Sequence, residues 1–258
     1  MKSARPHLDV NNLTVAFGGL IALSDLSFSV LEGELFAVIG PNGAGKTTLF
    51  NCLSTICRPQ KGSIRINGHE IVGSRATVLA QMRVARTFQN LGLFEHLDPI
   101  DNILLGRHSL MTAGFIGAAL RLPDMVSEEA RHREAALDIA AMLGLDRYRG
   151  QDCALLPYGV RKLVELGRAL ALEPRLLLLD EPVAGMNLEE SEAMAHHIRE
   201  IRTRFGTTIL LVEHDMSFVM SLANRVLVLN FGEAIACGQP REVQSDPRVI
   251  EAYLGVAA

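Results

Sequence analysis

Eight consecutive residues, Gly40-Pro41-Asn42-Gly43-Ala44-Gly45-Lys46-Thr47, follow the pattern G-x-x-x-x-G-K-[ST], a loop that holds phosphate. Its glycines let backbone N–H groups turn inward around phosphate oxygens, and the amides that open the following helix add favourable electrostatics. Lys46 is expected to set its ammonium between the β- and γ-phosphates. The Thr47 hydroxyl is expected on Mg²⁺, with Thr48 beside it at the same helix start. A second cluster is acidic. Leu176-Leu177-Leu178-Leu179-Asp180-Glu181 is an apolar run ending in two carboxylates. In a parallel sheet, ligands gather beyond the carboxyl ends of the strands. Asp180 can therefore reach Mg²⁺, directly or through water, and Glu181 can polarise an attacking water.

Those groups need strands to carry them. Leu35–Ile39, Leu176–Leu179 and Thr207–Val212 are short apolar runs without alternation, the pattern of parallel strands covered on both faces. Between two of them lies a helical stretch capped by Asn187, with Met194, Ile198, Ile201 and Phe205 on one face and Gly206 as its stop. Strands alternating with helices predict an α/β fold with a parallel sheet. The opening third reads differently. Leu13, Val15 and Phe17 alternate, as do Leu26, Phe28 and Val30, which predicts an antiparallel sheet with one covered face. Ile64 and Ile66 lead into Asn67-Gly68, a hairpin turn followed by Ile71 and Val72.

Residues 90–158 break the α/β rhythm. They hold no clear strand pattern but carry helix signals: Ser127 as a cap, Glu128 and Glu129 in the first turn, Gly144 at an end. An inserted helical subdomain over 90–158 is expected, with 1–89 and 159–258 forming the nucleotide-binding core and its antiparallel β subdomain. Strands resume at Val226–Leu229 and Ala234–Cys237, and Asp246-Pro247 opens a last helix ending at Gly255.

Composition narrows the functional classes. With 258 residues, 48% hydrophobic and 21% charged, the chain is globular and long enough for a sizeable core. Lys and Arg number 25 against 29 Asp and Glu, a net charge of −4, which gives no electrostatic reason to expect nucleic-acid binding. Mean hydropathy is +0.21, yet no segment reaches the roughly 18 uncharged apolar residues of a spanning helix. The stretch from Met1 to Asn12 has no apolar signal-peptide core. Cys52, Cys57, Cys153 and Cys237 lack a C-x-x-C pair and read as buried free thiols of a reduced compartment.

Taken in order, these motifs resemble those of the ATP-binding subunits of ABC transporters, and the resemblance covers nearly the whole chain. It implies a P-loop NTPase core of the ABC ATPase type with ATP and Mg²⁺ as cofactors. Phe17, in Phe17-Gly18-Gly19 before Ala22-Leu23, is similar to the aromatic residue that stacks on adenine, although taken alone it reads as core in preference to a base-stacking ring. Gln89, in Ala85-Arg86-Thr87-Phe88-Gln89, matches the glutamine that senses Mg²⁺ and the γ-phosphate. His214, in Val212-Glu213-His214-Asp215, matches the γ-phosphate histidine, and Ala184-Gly185-Met186-Asn187 the loop that crosses to an opposite subunit.

One motif departs from the family. Leu156-Pro157-Tyr158-Gly159-Val160 stands where Leu-Ser-Gly-Gly-Gln belongs, and only Leu156 and Gly159 agree. Pro157 removes the serine hydroxyl that would reach the γ-phosphate across a dimer. A lost neutral hydrogen bond is worth about 0.5–1.5 kcal/mol, so weakened trans contact is expected rather than inactivity. The nearest subgroup is the branched-chain amino acid uptake type, carried by Val84–Gln89 with Leu93-Phe94, the apolar stretch Met111–Leu122 and the ending Pro247–Gly255.

The resemblance implies an ATPase that drives import of a small solute through separate permease subunits, with a substrate-binding protein in the same system. A homodimer, or a heterodimer with a paralogue, would close around two ATP molecules at the cytoplasmic face of the membrane. Glu181 would serve as catalytic base, with His214 and Gln89 completing the γ-phosphate environment. Leu91, Leu93, Phe94, Leu97 and Ile100 either fill the helical subdomain or dock a permease helix. The competing classes are a nucleotide-gated module with little turnover, prompted by the altered signature, and a non-transport ABC ATPase. A GTPase would require an Asn-Lys-x-Asp motif, which the chain does not contain.

Overall fold

Strands and helices divide unevenly along the chain. The structure, a computed structural model, describes residues 6–87, 92–111 and 123–254. The first third supplies β1 (Pro6–Phe17), β2 (Leu20–Leu31), β3 (Leu35–Ile39), α1 (Lys46–Leu53), β4 (Lys61–Ile66), β5 (His69–Glu70), α2 (Ala76–Gln81) and β6 (Val84–Arg86). The middle is helical: α3 (Pro99–Leu105), α4 (Pro123–Met142) and α5 (Tyr158–Leu170). Alternation then returns with β7 (Leu176–Asp180), α6 (Leu188–Phe205), β8 (Thr208–Val212), α7 (Met216–Leu222), β9 (Arg225–Asn230), β10 (Glu233–Gly238), α8 (Pro240–Gln244) and α9 (Pro247–Leu254).

The larger sheet has the order β10-β9-β3-β8-β7-β6, parallel throughout except for the β9–β10 hairpin. Every residue of β3, β7 and β8 is buried, and alternation distributes them between two cores. Leu35, Ala37, Ile39, Leu177, Leu179, Ile209 and Leu211 pack on the side of α3, α5 and α6. Phe36, Val38, Leu176, Leu178, Leu210 and Val212 face α1 and the smaller sheet. A continuous apolar run is thus what a strand between two covered faces requires.

The smaller sheet, β2-β1-β4-β5, is antiparallel. Leu13, Val15, Leu26, Phe28 and Val30 point inward as their alternation predicts, and Phe28 stacks on Phe36 of β3 at 5.5 Å between ring centroids. Asn67 and Gly68 both take positive φ, 50° and 81°, the geometry of a tight hairpin. The returning strand is only His69–Glu70, so Ile71 and Val72 lie beyond it. The sequence marks no strand at Val84–Arg86, and its expectation of four buried thiols needs correction. Val84–Arg86 is an edge strand that three residues were too few to announce. Of the four thiols, Cys52 and Cys153 are buried, Cys57 is partly buried and Cys237 is exposed on the outermost strand, β10.

Candidate functional site at the carboxyl edge of the sheet

The phosphate-type loop leaves β3 and enters α1 as its pattern requires. All three of its glycines take positive φ: 154° at Gly40, 80° at Gly43 and 102° at Gly45. A Cβ at Gly40 would stand 2.2 Å from the Leu229 carbonyl oxygen, and one at Gly45 would stand 2.5 Å from that of Ala22. No other residue fits either position. The loop is pinned from outside by the Gly232 N–H, which donates to the Ala44 carbonyl at 3.1 Å, and from within by Ala44 N–H to Pro41 O at 3.2 Å.

Lys46 opens α1 and is 7% exposed. Its Nζ donates to the Gly40 and Pro41 carbonyls at 2.6 and 3.0 Å. Burial lowers its pKa from the ordinary 10.5, and the Glu181 carboxylate opposes that shift. Its surroundings are therefore two loop carbonyls and one carboxylate, a setting in which an ammonium stays at the loop. Asn42, Gly43 and Thr47 are exposed, and Pro41 and Thr48 partly so.

Adjacent strands bring the remaining groups to the same edge. Asp180 ends β7 and is 4% exposed; its Oδ2 accepts from Arg86 at 2.8 Å, and its N–H donates to Thr87 Oγ1 at 3.2 Å. Arg86 also donates to Phe50 O, Asn51 Oδ1 and Ser54 Oγ, tying β6 to α1. Glu181 takes φ +47° and donates its N–H to Val212 O at 2.9 Å, so the chain turns sharply as it leaves the sheet. Beyond β8, His214 is exposed. Asp215 caps α7 by accepting the Phe218 N–H at 3.0 Å.

Glu213 was not anticipated as a site residue, nor was Arg86. Glu213 has no exposed surface, and its oxygens accept from Val183 N and His214 N at 3.0 Å each. Burial raises its pKa above 4.5, against the backbone donors and the His214 charge, which lower it. A carboxylate next to a histidine is an ordinary surface pair in sequence. Only the fold encloses this one.

Other predicted residues lie apart. Gln89 is outside the described residues, as are Leu91 and residues 112–122. Phe17 closes β1 beside Leu20 and Ile21, all three more than half exposed. Leu156 is buried, Pro157 precedes α5 in extended backbone, and Tyr158 begins it. The contacts of this segment run to the 184–190 stretch: a Cβ at Gly159 would stand 2.5 Å from Glu190 Oε1, and one at Gly185 would stand 3.2 Å from the Tyr158 ring. Leu93 and Ile100 join the core, whereas Phe94 is 57% exposed.

A glycine-rich loop, a lysine, two strand-end carboxylates and a histidine at one sheet edge define a P-loop nucleotide-binding protein. The chain belongs to the ABC transporter family: residues 23–184 match the profile described as ABC transporter, and residues 235–258 match that of the branched-chain amino acid ATP-binding cassette transporter. It is 37% identical over 254 residues to the high-affinity branched-chain amino acid transport ATP-binding protein BraF of Pseudomonas aeruginosa, covering 98% of this chain and all of that one. The LivG counterpart of Escherichia coli is 36% identical over the same coverage. Among solved structures, a nucleotide-free ATP-binding cassette from an ABC transporter superposes with a TM-score of 0.85 at 28% identity, over 97% of this chain and 100% of that one. An ABC transporter's ATP-binding cassette solved in its ADP conformation gives 0.85 at 29%, over 97% and 99%.

Proposed function

We propose that this chain is the ATP-hydrolysing subunit of an importer for branched-chain or related amino acids, working on separate membrane-spanning subunits. The observation that carries the reading is the strand order β3-β8-β7. It sets Lys46, His214 and the Asp180-Glu181 pair side by side at the carboxyl edge of one sheet. The names of the relatives support the cargo class.

In this reading the amides of Gly40 to Gly45 and the start of α1 enclose the β- and γ-phosphates of ATP, with Lys46 exchanging loop carbonyls for phosphate oxygens. Phe17 stacks on adenine. Glu181 accepts a proton from water as the water oxygen attacks the γ-phosphorus. The bond from that phosphorus to the bridging oxygen breaks, and ADP and phosphate leave. His214 and Gln89 hold the transferred group. Catalysis is then positioning and electrostatics rather than covalent chemistry.

Thr47 and Asp180 suit Mg²⁺, being hard oxygen donors: an exposed hydroxyl on α1 and a carboxylate of which Arg86 takes one oxygen. Mg²⁺ supplies charge neutralisation on the phosphates. Gln89 is the third proposed ligand.

Two copies, or one and a paralogue, close so that each ATP lies between Lys46 of one subunit and the Leu156-Pro157-Tyr158-Gly159 segment of the other. Residues 90–158 serve as the helical subdomain inserted in the core of 1–89 and 159–258. Phe94, exposed within that subdomain, meets a permease helix, and the protein sits peripherally at the cytoplasmic face of the membrane, in a system with a substrate-binding protein. No helix among the described residues is long and apolar enough to cross a membrane itself.

Steady-state phosphate release by the complete complex tests the reading. Glu181→Gln is expected to lower turnover by at least about 100-fold with ATP binding retained. Equal rates would sink the catalytic assignment, and a wild type that binds ATP without releasing phosphate would favour the nucleotide-gated module.

A further inference from the structure

One ionisable side chain is wholly enclosed where two of the proposed catalytic segments meet. Glu213 has no exposed surface. One carboxylate oxygen, Oε1, accepts the Val183 N–H, two residues after Glu181; the other, Oε2, accepts the His214 N–H, each at 3.0 Å. The Asp215 N–H also acts on this carboxylate. The His214 Nδ1 stands 3.6 Å from Oε2, while 60% of that side chain is exposed.

A mere spacer at this position would be apolar. All five residues of β8 just before it are buried, and a leucine or methionine fills similar volume without taking a charge out of water. The carboxylate does something those side chains cannot. Both Val183 and His214 lie just past the ends of their strands, where the ladder no longer supplies carbonyl partners for their N–H groups. A single rigid group with two acceptor oxygens satisfies one N–H on each segment and so fixes the spacing between them.

We infer that Glu213 is a positioning residue, a buried carboxylate clamp that holds the His214 backbone in register with the segment carrying Glu181. The clamp leaves the imidazole itself free to face solvent or phosphate while its point of attachment is fixed. Glutamine at this position offers one acceptor oxygen and turns an NH₂ donor toward the second N–H, so one side of the clamp opens. This inference rests on the proposed roles of Glu181 and His214.

The test compares wild type, Glu213→Gln, His214→Ala and the double variant, each as the full chain in its purified transport complex. Glu213→Gln is expected to lower kcat about tenfold or more while KM and ATP affinity stay within about twofold. Hydrogen exchange at the Val183 or His214 amide is expected to quicken by about tenfold or more in that variant. His214→Ala is expected to reduce turnover to a residual rate, and adding Glu213→Gln is expected to leave that rate within about twofold, because the clamp acts through the histidine.

Wild-type kcat in Glu213→Gln, unchanged protection of both amides, or a full multiplicative loss in the double variant would overturn the inference. If Glu213→Gln does not fold, Glu213→Met gives the same measurements from a side chain of similar volume without acceptors, and wild-type kcat there would overturn it equally. A His214→Ala variant that turns over like wild type would refute the histidine's role instead. The exchange data would still decide whether the clamp exists.

Discussion

At the scale of single residues, Lys46 was readable and its present partners were not. The eight-residue pattern requires a lysine there, whatever the surroundings. That its ammonium rests on Gly40 and Pro41 carbonyls depends on the curvature of the loop. Those bonds tie Lys46 only to its own loop, so Lys46→Ala is expected to leave the thermal midpoint nearly unchanged. ATP affinity measured by titration should fall about 10- to 100-fold, the worth of one charge-assisted contact to phosphate. Unchanged affinity would remove the loop from the nucleotide site. Arg86 and Glu213 are the opposite case. Each is a charged residue flanked by residues of ordinary type, and its importance lies in partners 94 residues away for Arg86 and 30 for Glu213. No local pattern records such pairings.

Among the elements, α6 was the most fully foreseen. Asn187 accepts the Glu190 N–H, Glu190 answers to the Asn187 N–H, and Gly206 closes the helix with φ 63°. Met194, Ile198 and Ile201 bury the predicted face, while Phe205 stays 55% exposed at the last turn. Because this cap starts the helix directly after the Ala184–Asn187 loop, Asn187→Ala is expected to cost about 1 kcal/mol of stability. A urea midpoint equal to wild type would show that tertiary packing alone sets the start of α6. Short β6 was missed for a physical reason. Three residues cannot display a period, and this strand exists because β7 offers an edge with which Val84, Ala85 and Arg86 pair. Without that edge Thr87 would not receive the Asp180 N–H.

Across the whole molecule, the fold couples distant segments to pH. His7 on β1 is 3% exposed, and its Nδ1 is 2.6 Å from Thr208 Oγ1 on β8. Burial lowers its pKa from the ordinary 6.5; Glu32 opposes the shift and Arg175 adds to it. His197 is lowered too, by burial and then by His196, with Glu200 opposing. A depressed histidine pKa means that the unfolded chain takes up the proton first. Stability is therefore full above about pH 6.5 and is lost as the pH falls below it. Between about pH 7.5 and about pH 5.5 the urea midpoint is expected to drop, and His7→Gln is expected to shrink that drop. An unaltered drop would assign the acid sensitivity elsewhere.

From the sequence alone came the class and the candidate site: the loop and the acidic strand end are short, contiguous patterns set by local geometry, and the histidine after β8 follows from the resemblance that the run of motifs carries. The opposite held for everything made between segments. Which strands neighbour β3, why Asp180 meets Arg86, how Glu213 comes to lie between Val183 and His214, and why Gly159 must be small beside Glu190 were decided by tertiary structure. A pattern of a few residues fixes backbone conformation and side-chain type. A contact across 30 or 94 positions exists only once the sheet order has closed the distance.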